Sequence, residues 1–170
     1  DAQNRILENE LSIIRLDAEL KGESPAFPEE LSVSHPQAIA DQMAIFHARE
    51  QQQNAEMGLL QSQYEQRSRE VEELTGRKRQ TERSLALAVE QRNIAAPLMQ
   101  RKIYSRVDYL GLEQKVVSLQ GDIESLASSI PKAQAAAEEA KQRLTLRKAE
   151  MEAEINAEIS KRRTELNSLK

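Results

Sequence analysis

The sequence contains no cysteine and no tryptophan, and aromatic residues make up only 3% of its 170 positions. Without cysteine there are no disulfides and no thiolate metal sites, a state compatible with either a reducing or an oxidising compartment. Two phenylalanines, three tyrosines, five glycines and five prolines leave too little bulky apolar material for the compact core that a globular domain of this length would bury. No apolar run reaches the roughly 18 residues that a membrane span requires. A signal-peptide pattern is also missing. The chain opens on DAQNRILENE, with no initiator methionine, which reads as the inside of a helix and as a fragment whose targeting segments lie outside it. Neither G-x-x-x-x-G-K, G-x-S-x-G nor H-E-x-x-H occurs. No nucleophile, base and orienting group can be placed together, so neither an enzyme nor a bound cofactor is expected.

Ala, Glu, Gln, Arg, Lys and Leu fill the space instead. With 28 acidic against 24 basic residues, the net charge is -4 and 31% of the chain is charged. These are strong helix formers, because their straight side chains lose little rotamer freedom on a helix surface. The composition predicts an all-α fold.

Periodicity divides that fold. Residues 1–22 form an amphipathic helix with Leu7, Leu11, Ile14 and Ala18 on one stripe, closed by Lys21-Gly22, since a cation and then a glycine suit a helix C-terminus. Residues 23–36 form a linker in which Pro25 and Pro28 forbid helix and Phe27 and Leu31 tuck against a neighbour. Ser34 to Gln37 has capping-box spacing, and Pro36 suits a first turn. Residues 37–94 then hold a seven-residue repeat. One seam reads Met43, Glu50, Met57, Tyr64, Val71, Lys78, Leu85, Arg92, and the other Phe46, Gln53, Leu60, Arg67, Leu74, Thr81, Ala88. Polar members weaken such a seam while fixing its register. The helix is expected to fray between Asn93 and Pro97.

Past a turn at 95–105, residues 106–170 carry a cleaner seam running from Tyr109, Leu112, Val116 and Leu119 to Ala140 and Leu144. A stutter near Met151 follows, continuing as Ile155, Ile159, Leu166 and Leu169, and Pro131 predicts a kink. Two heptad helices joined by a short connection lie antiparallel. The expectation is a long antiparallel coiled-coil hairpin with an additional N-terminal helix, its arm on the order of 85 Å at 1.5 Å per residue. Helix 1 either continues the ascending arm or folds back as a third helix.

The turn itself, AAPLMQRKIYSRVDYL, is not written in the usual Gly, Asn and Asp. Ser105 and Asp108 have capping-box spacing, and Tyr104 and Tyr109 stand where a hydrophobic staple would place them. Leu98, Met99 and Ile103 have no core behind them at the end of a thin hairpin. Exposed apolar residues ringed by Arg101, Lys102 and Arg106 suggest a docking site for another protein.

PLMQRKIYSRVDYLGLE, residues 97–113, resembles the hairpin tip of the HlyD (membrane fusion protein) family of periplasmic adaptors. RLDAELKGESPAFPEEL, residues 15–31, followed by Ala44-Ile45-Phe46 and Arg49, is similar to the matching segment of type I secretion adaptors. The resemblance covers nearly the whole chain. It implies a periplasmic protein that joins an inner-membrane ABC transporter to a TolC-like outer-membrane channel. By the same resemblance, copies associate into a ring, a hexamer in the full assembly, and a membrane anchor lies outside this fragment. Leu98 and Ser105 match the drug-efflux tip pattern Arg-x3-Leu-x6-Ser, while Ile94 fills the arginine position. The docking residues are then Leu98, Met99, Arg101, Ile103, Ser105 and Arg106, with Ser105 and Asp108 as the helix cap.

Other features have plainer readings. His47 and Glu50 stand three apart on a helix, but a bundle metal site needs further converging carboxylates, so no metal is expected. Arg77, Lys78, Arg79 and Arg83 form the strongest basic cluster. Flanking Glu72, Glu73 and Glu82 and the lack of interleaved aromatics make it a solvated face, or a lateral contact between copies, rather than a nucleic-acid site. The competing function is a cytoplasmic coiled-coil scaffold or tether with no channel partner.

Overall fold

The computed structural model describes all residues, Asp1–Lys170, in four helices: α1 (Ala2–Lys21), α2 (Glu29–Ser34), α3 (Pro36–Gln100) and α4 (Arg106–Leu169). They form two units, one of Asp1–Gln61 with Gln142–Lys170 and the other of Ser62–Lys141, and both α3 and α4 run unbroken through the division. The fold is the expected all-α hairpin, α3 and α4 antiparallel, with α1 additional to it.

In the first unit, α1 is a third helix packed on the other two. Its start is capped by Asp1, whose carboxylate accepts the Gln3 N–H at 3.1 Å. Its end is a Schellman turn. Gly22 sits at φ 71, its N–H donates to the Glu19 carbonyl at 3.3 Å, and the Glu23 N–H donates to Ala18 at 3.0 Å. Leu16 packs against Ile155 and Ile159, with all three buried and Leu20 alongside. Polar contacts fix the orientation. Arg5 meets Glu165 and Arg162 meets Asn9, so α1 is antiparallel to α4. Arg15 meets Gln42 and Glu19 meets Arg49, so it is parallel to α3. Helix 1 therefore lies beside the hairpin, and the linker runs back along it to begin α3.

That linker differs from its sequence reading. Residues 29–34 form the short helix α2, with Pro28 at its N-cap and Glu29 and Glu30 in its first turn. Proline needs no N–H partner there, and the two carboxylates suit the positive end of the helix dipole. Ser34 is accordingly the last residue of α2. Its hydroxyl donates to the Glu30 carbonyl at 2.9 Å, and the capping box with Gln37 does not form; Gln37 donates to Asp41 instead. Phe27 and Leu31 are half-buried.

The stutter coincides with the third helix. Met151, Ile155 and Ile159 are all buried at successive steps of four, which turns the α4 stripe so that it serves α1 as well as α3. Arg147 ties α4 to α3 by donating to Glu56 at 2.6 Å, and it also donates to Glu154 of its own helix at 3.2 Å. These hydrogen bonds hold its pKa above the usual arginine value.

A buried polar chain links α1 to α3. The Ser12 hydroxyl accepts from Gln42 at 3.3 Å, the side-chain amide oxygen of Gln42 accepts from Arg15 at 2.8 Å, and Glu19 accepts from Arg15 at 2.9 Å and from Arg49. Every buried side-chain polar atom has a partner. Burial pushes the Arg15 pKa down, and Glu19 acts against that shift. The chain fixes register at some cost in desolvation.

In the second unit the seam continues further than expected. Ala95 is only 4% exposed and Met99 is half-buried, so the repeat passes through the region expected to fray, and α3 ends at Gln100. Pro97 is inside the helix but on its solvent side, as is Asn93, whose freed carbonyl is left to water. Arg67, which falls on the heptad register, is exposed and reaches Glu70 at 3.4 Å; Glu50, its counterpart on the register in the first unit, is exposed too. α4 is continuous through Pro131.

Candidate docking site at the hairpin turn

The connection between α3 and α4 is only Arg101–Ser105, and its geometry follows from how a helix ends. The last carbonyls of α3 need donors. Lys102 turns into the left-handed region at φ 61, and its N–H donates to Met99 at 3.0 Å while that of Ile103 donates to Leu98 at 2.9 Å. This is the same Schellman pattern that ends α1, with lysine where α1 has glycine. The motif often pairs its C″ and C3 side chains, here Ile103 and Leu98. Leu98 is half-buried, while Ile103 stays 69% exposed.

The start of α4 is set by Ser105. Its hydroxyl accepts the Asp108 N–H at a long 3.4 Å, and its carbonyl accepts the Tyr109 N–H at 3.0 Å. The Asp108 carboxylate makes no bond back, since Asp is a methylene shorter than the Glu of a full capping box. Tyr104 and Tyr109 are both half-buried. Tyr109 donates to Glu113 at 3.1 Å; desolvation, with this hydrogen bond second, pushes its phenol pKa up.

Of the docking residues read from the sequence, Arg101, Ile103, Ser105 and Arg106 are exposed in or beside the turn, and Leu98 and Met99 are half-buried in the last turn of α3. Met99 also extends the seam of Leu85 and Arg92. Arg101, Lys102 and Arg106 make no ion pair within the chain, leaving a cationic rim around the exposed isoleucine. Lys102 was absent from the docking set. Its signal is the lack of any glycine or asparagine in the turn, which forces some other residue into the left-handed conformation.

The remaining features hold no comparable arrangement. His47 is exposed and packs edge-on against Phe46, with ring centroids 5.5 Å apart. Within the basic cluster Arg77 pairs with Glu73 at 3.0 Å and Lys78 with Glu82 at 4.0 Å, as i, i+4 spacing favours. A groove of about 630 Å³ in the first unit is lined by Leu7, Leu11, His35, Pro36, Ala38 and Ile45 among others.

The geometry is that of a hairpin end with an exposed apolar residue and a cationic rim. The family model described as AprE, long alpha-helical hairpin, matches residues 1–170. The chain belongs to this family. The chain is also similar in fold to the soluble domain of LipC, a membrane fusion protein of a type I secretion system, known from a crystal structure. The TM-score is 0.82 at 19% sequence identity, and the match covers 99% of this chain and 82% of that one. No curated protein sequence matches the chain significantly. The membrane-fusion-protein resemblance read from the Phe27-Pro28 linker and the turn is thus upheld by the family match.

Proposed function

We propose that this AprE-family hairpin is the periplasmic arm of a type I secretion adaptor, linking an inner-membrane ABC transporter to a TolC-like outer-membrane channel. Its contribution is geometric, and the energised chemistry belongs to the partners. Several copies, six by family resemblance, stand side by side as the wall of a conduit, and the membrane anchor lies outside this segment. The turn meets the channel through Leu98, Met99, Ile103 and Ser105, with Arg101 and Arg106 supplying charge.

The observation that carries this reading is Ile103, 69% exposed at the reversal of the chain and ringed by cations without partners. An apolar residue that the fold leaves uncovered, inside a polar rim, is how a protein-binding patch is built. Membership of a family of long helical hairpins supplies the context.

In the full adaptor, Leu98→Asp with Ser105→Arg is expected to abolish secretion while helix content stays intact. Ile103→Asp, which leaves the Ser105 cap in place, is expected to do the same. Wild-type export from both variants would refute the tip assignment.

A further inference from the structure

Two exposed apolar pairs in the second unit lie outside the seam. Leu87 and Ile94 on α3 are 63% and 61% exposed, and Leu110 and Val117 on α4 are 49% and 65% exposed. Each pair is one heptad apart, so each forms a short stripe along its helix. No packing within the chain accounts for either.

The stripes occupy opposite flanks. On α4, Leu110 and Val117 each directly follow a seam residue, Tyr109 and the buried Val116. Residues in that same relation to the seam, Glu72 after Val71 and Glu138 after Ala137, line one common groove together with Tyr64, Ser68, Gln134 and Lys141. The residue after the seam therefore faces the same side on both helices. On α3, Leu87 and Ile94 instead directly precede seam residues, the buried Ala88 and Ala95. At 3.6 residues per turn this places them on the side away from that groove.

The axial levels agree as well. The groove sets Tyr64 to Val71 of α3 beside Gln134 to Lys141 of α4. Carrying that register toward the turn puts Leu87 level with Val117, and Ile94 level with Leu110, to within about one residue, or 1.5 Å.

We infer that these stripes bind one another between copies of the chain, α3 of one copy against α4 of the next, with the copies pointing the same way. A second copy placed so that Leu87 faces Val117 and Ile94 faces Leu110 needs no axial shift. It also brings Arg83, one turn before Leu87, close to the Glu124 that continues the α4 stripe one heptad past Val117. Neither has an ion-pair partner in its own chain, so the apolar contact is accompanied by charge complementarity. Each copy spends one stripe on each neighbour. The contact is therefore heterologous, and it extends head to tail until a ring closes. This deepens the side-by-side arrangement in the proposed function by naming its two surfaces, and it does not depend on the channel.

Because the chain has no cysteine, the test has no background. Ile94→Cys and Leu110→Cys, both at exposed sites, are purified separately and mixed under mild oxidation. The mixed disulfide is expected to exceed either self-linked dimer by about tenfold, equivalent to about 1.4 kcal/mol of preference. A chain carrying both substitutions should give a ladder of dimers, trimers and larger products. Equal yields, an excess of self-linked dimer, closure within one chain, or no disulfide at any concentration would each overturn the inference. None of these outcomes bears on the tip assignment, which is read in secretion.

Discussion

Replacing Lys102 by glycine should make the protein more stable, although it removes a charged side chain from an ordered turn. Lys102 sits at φ 61, where a side chain costs about 1–2 kcal/mol. Glycine removes that strain but enlarges the conformational freedom of the unfolded chain, which costs back about 0.4–1 kcal/mol. The net expectation is a gain of about 0.5–1 kcal/mol, or a rise in Tm of about 1–4 °C for a chain of this size. Gly22 supplies the control. It sits at φ 71 with nothing within 4 Å of where a Cβ would be, so Gly22→Lys should lose about what Lys102→Gly gains, through backbone strain alone. Thermal and urea unfolding followed by helical circular dichroism would measure both. A Lys102→Gly protein no more stable than wild type, with Gly22→Lys neutral, would refute the assignment of strain to the turn.

Glu19→Ala should be among the most damaging single changes in the first unit. The Glu19 side chain is 2% exposed between Arg15 and Arg49, and its loss leaves the buried Arg15 guanidinium uncompensated, a cost of about 3–5 kcal/mol. Replacing Arg15 and Glu19 together by methionine should cost much less, and equal losses in urea midpoint would contradict the buried-pair account. Glu165 carries a pH signature. The hydrogen bond from Arg5 holds its carboxyl below the usual range. The stability it contributes is therefore present above the ordinary glutamate pKa and is lost as pH falls through the depressed value. In Arg5→Gln, NMR titration should find Glu165 back in the ordinary range; an unmoved titration would exclude Arg5 as the cause.

The parts of this structure that repeat were the parts legible in the sequence. The seams from Met57 to Leu85 and from Tyr109 to Leu144 follow from apolar spacing alone, and Gly22 marked its helix end because glycine tolerates the left-handed turn. Single-residue punctuation was less reliable. Pro28 reads as a helix breaker but starts α2, because a proline at the N-cap gives up no hydrogen bond. Pro97 reads as a terminus but lies on the wet side of a helix whose dry side, Ala95 and Met99, still has a partner. The third helix of the first unit was written in the apolar stripe of α1 and in the stutter at Met151, but neither says which helix fills the extra surface. At the turn, the apolar residues and their cationic rim were visible in advance, whereas the left-handed lysine was not, since no local preference selects it.

The central claim is that one chain doubles back on itself near Lys102, so that distant segments are neighbours within a molecule. The Arg147 guanidinium stands 2.6 Å from the Glu56 carboxylate, and both side chains are partly accessible. Glu56→Cys with Arg147→Cys, treated at high dilution with a short flexible bis-maleimide that alkylates both thiols, is predicted to yield an internally linked monomer that runs at the mass of a single chain. A product of two chains linked through these positions, with no internal bridge, would contradict the hairpin and favour a tether of separate molecules.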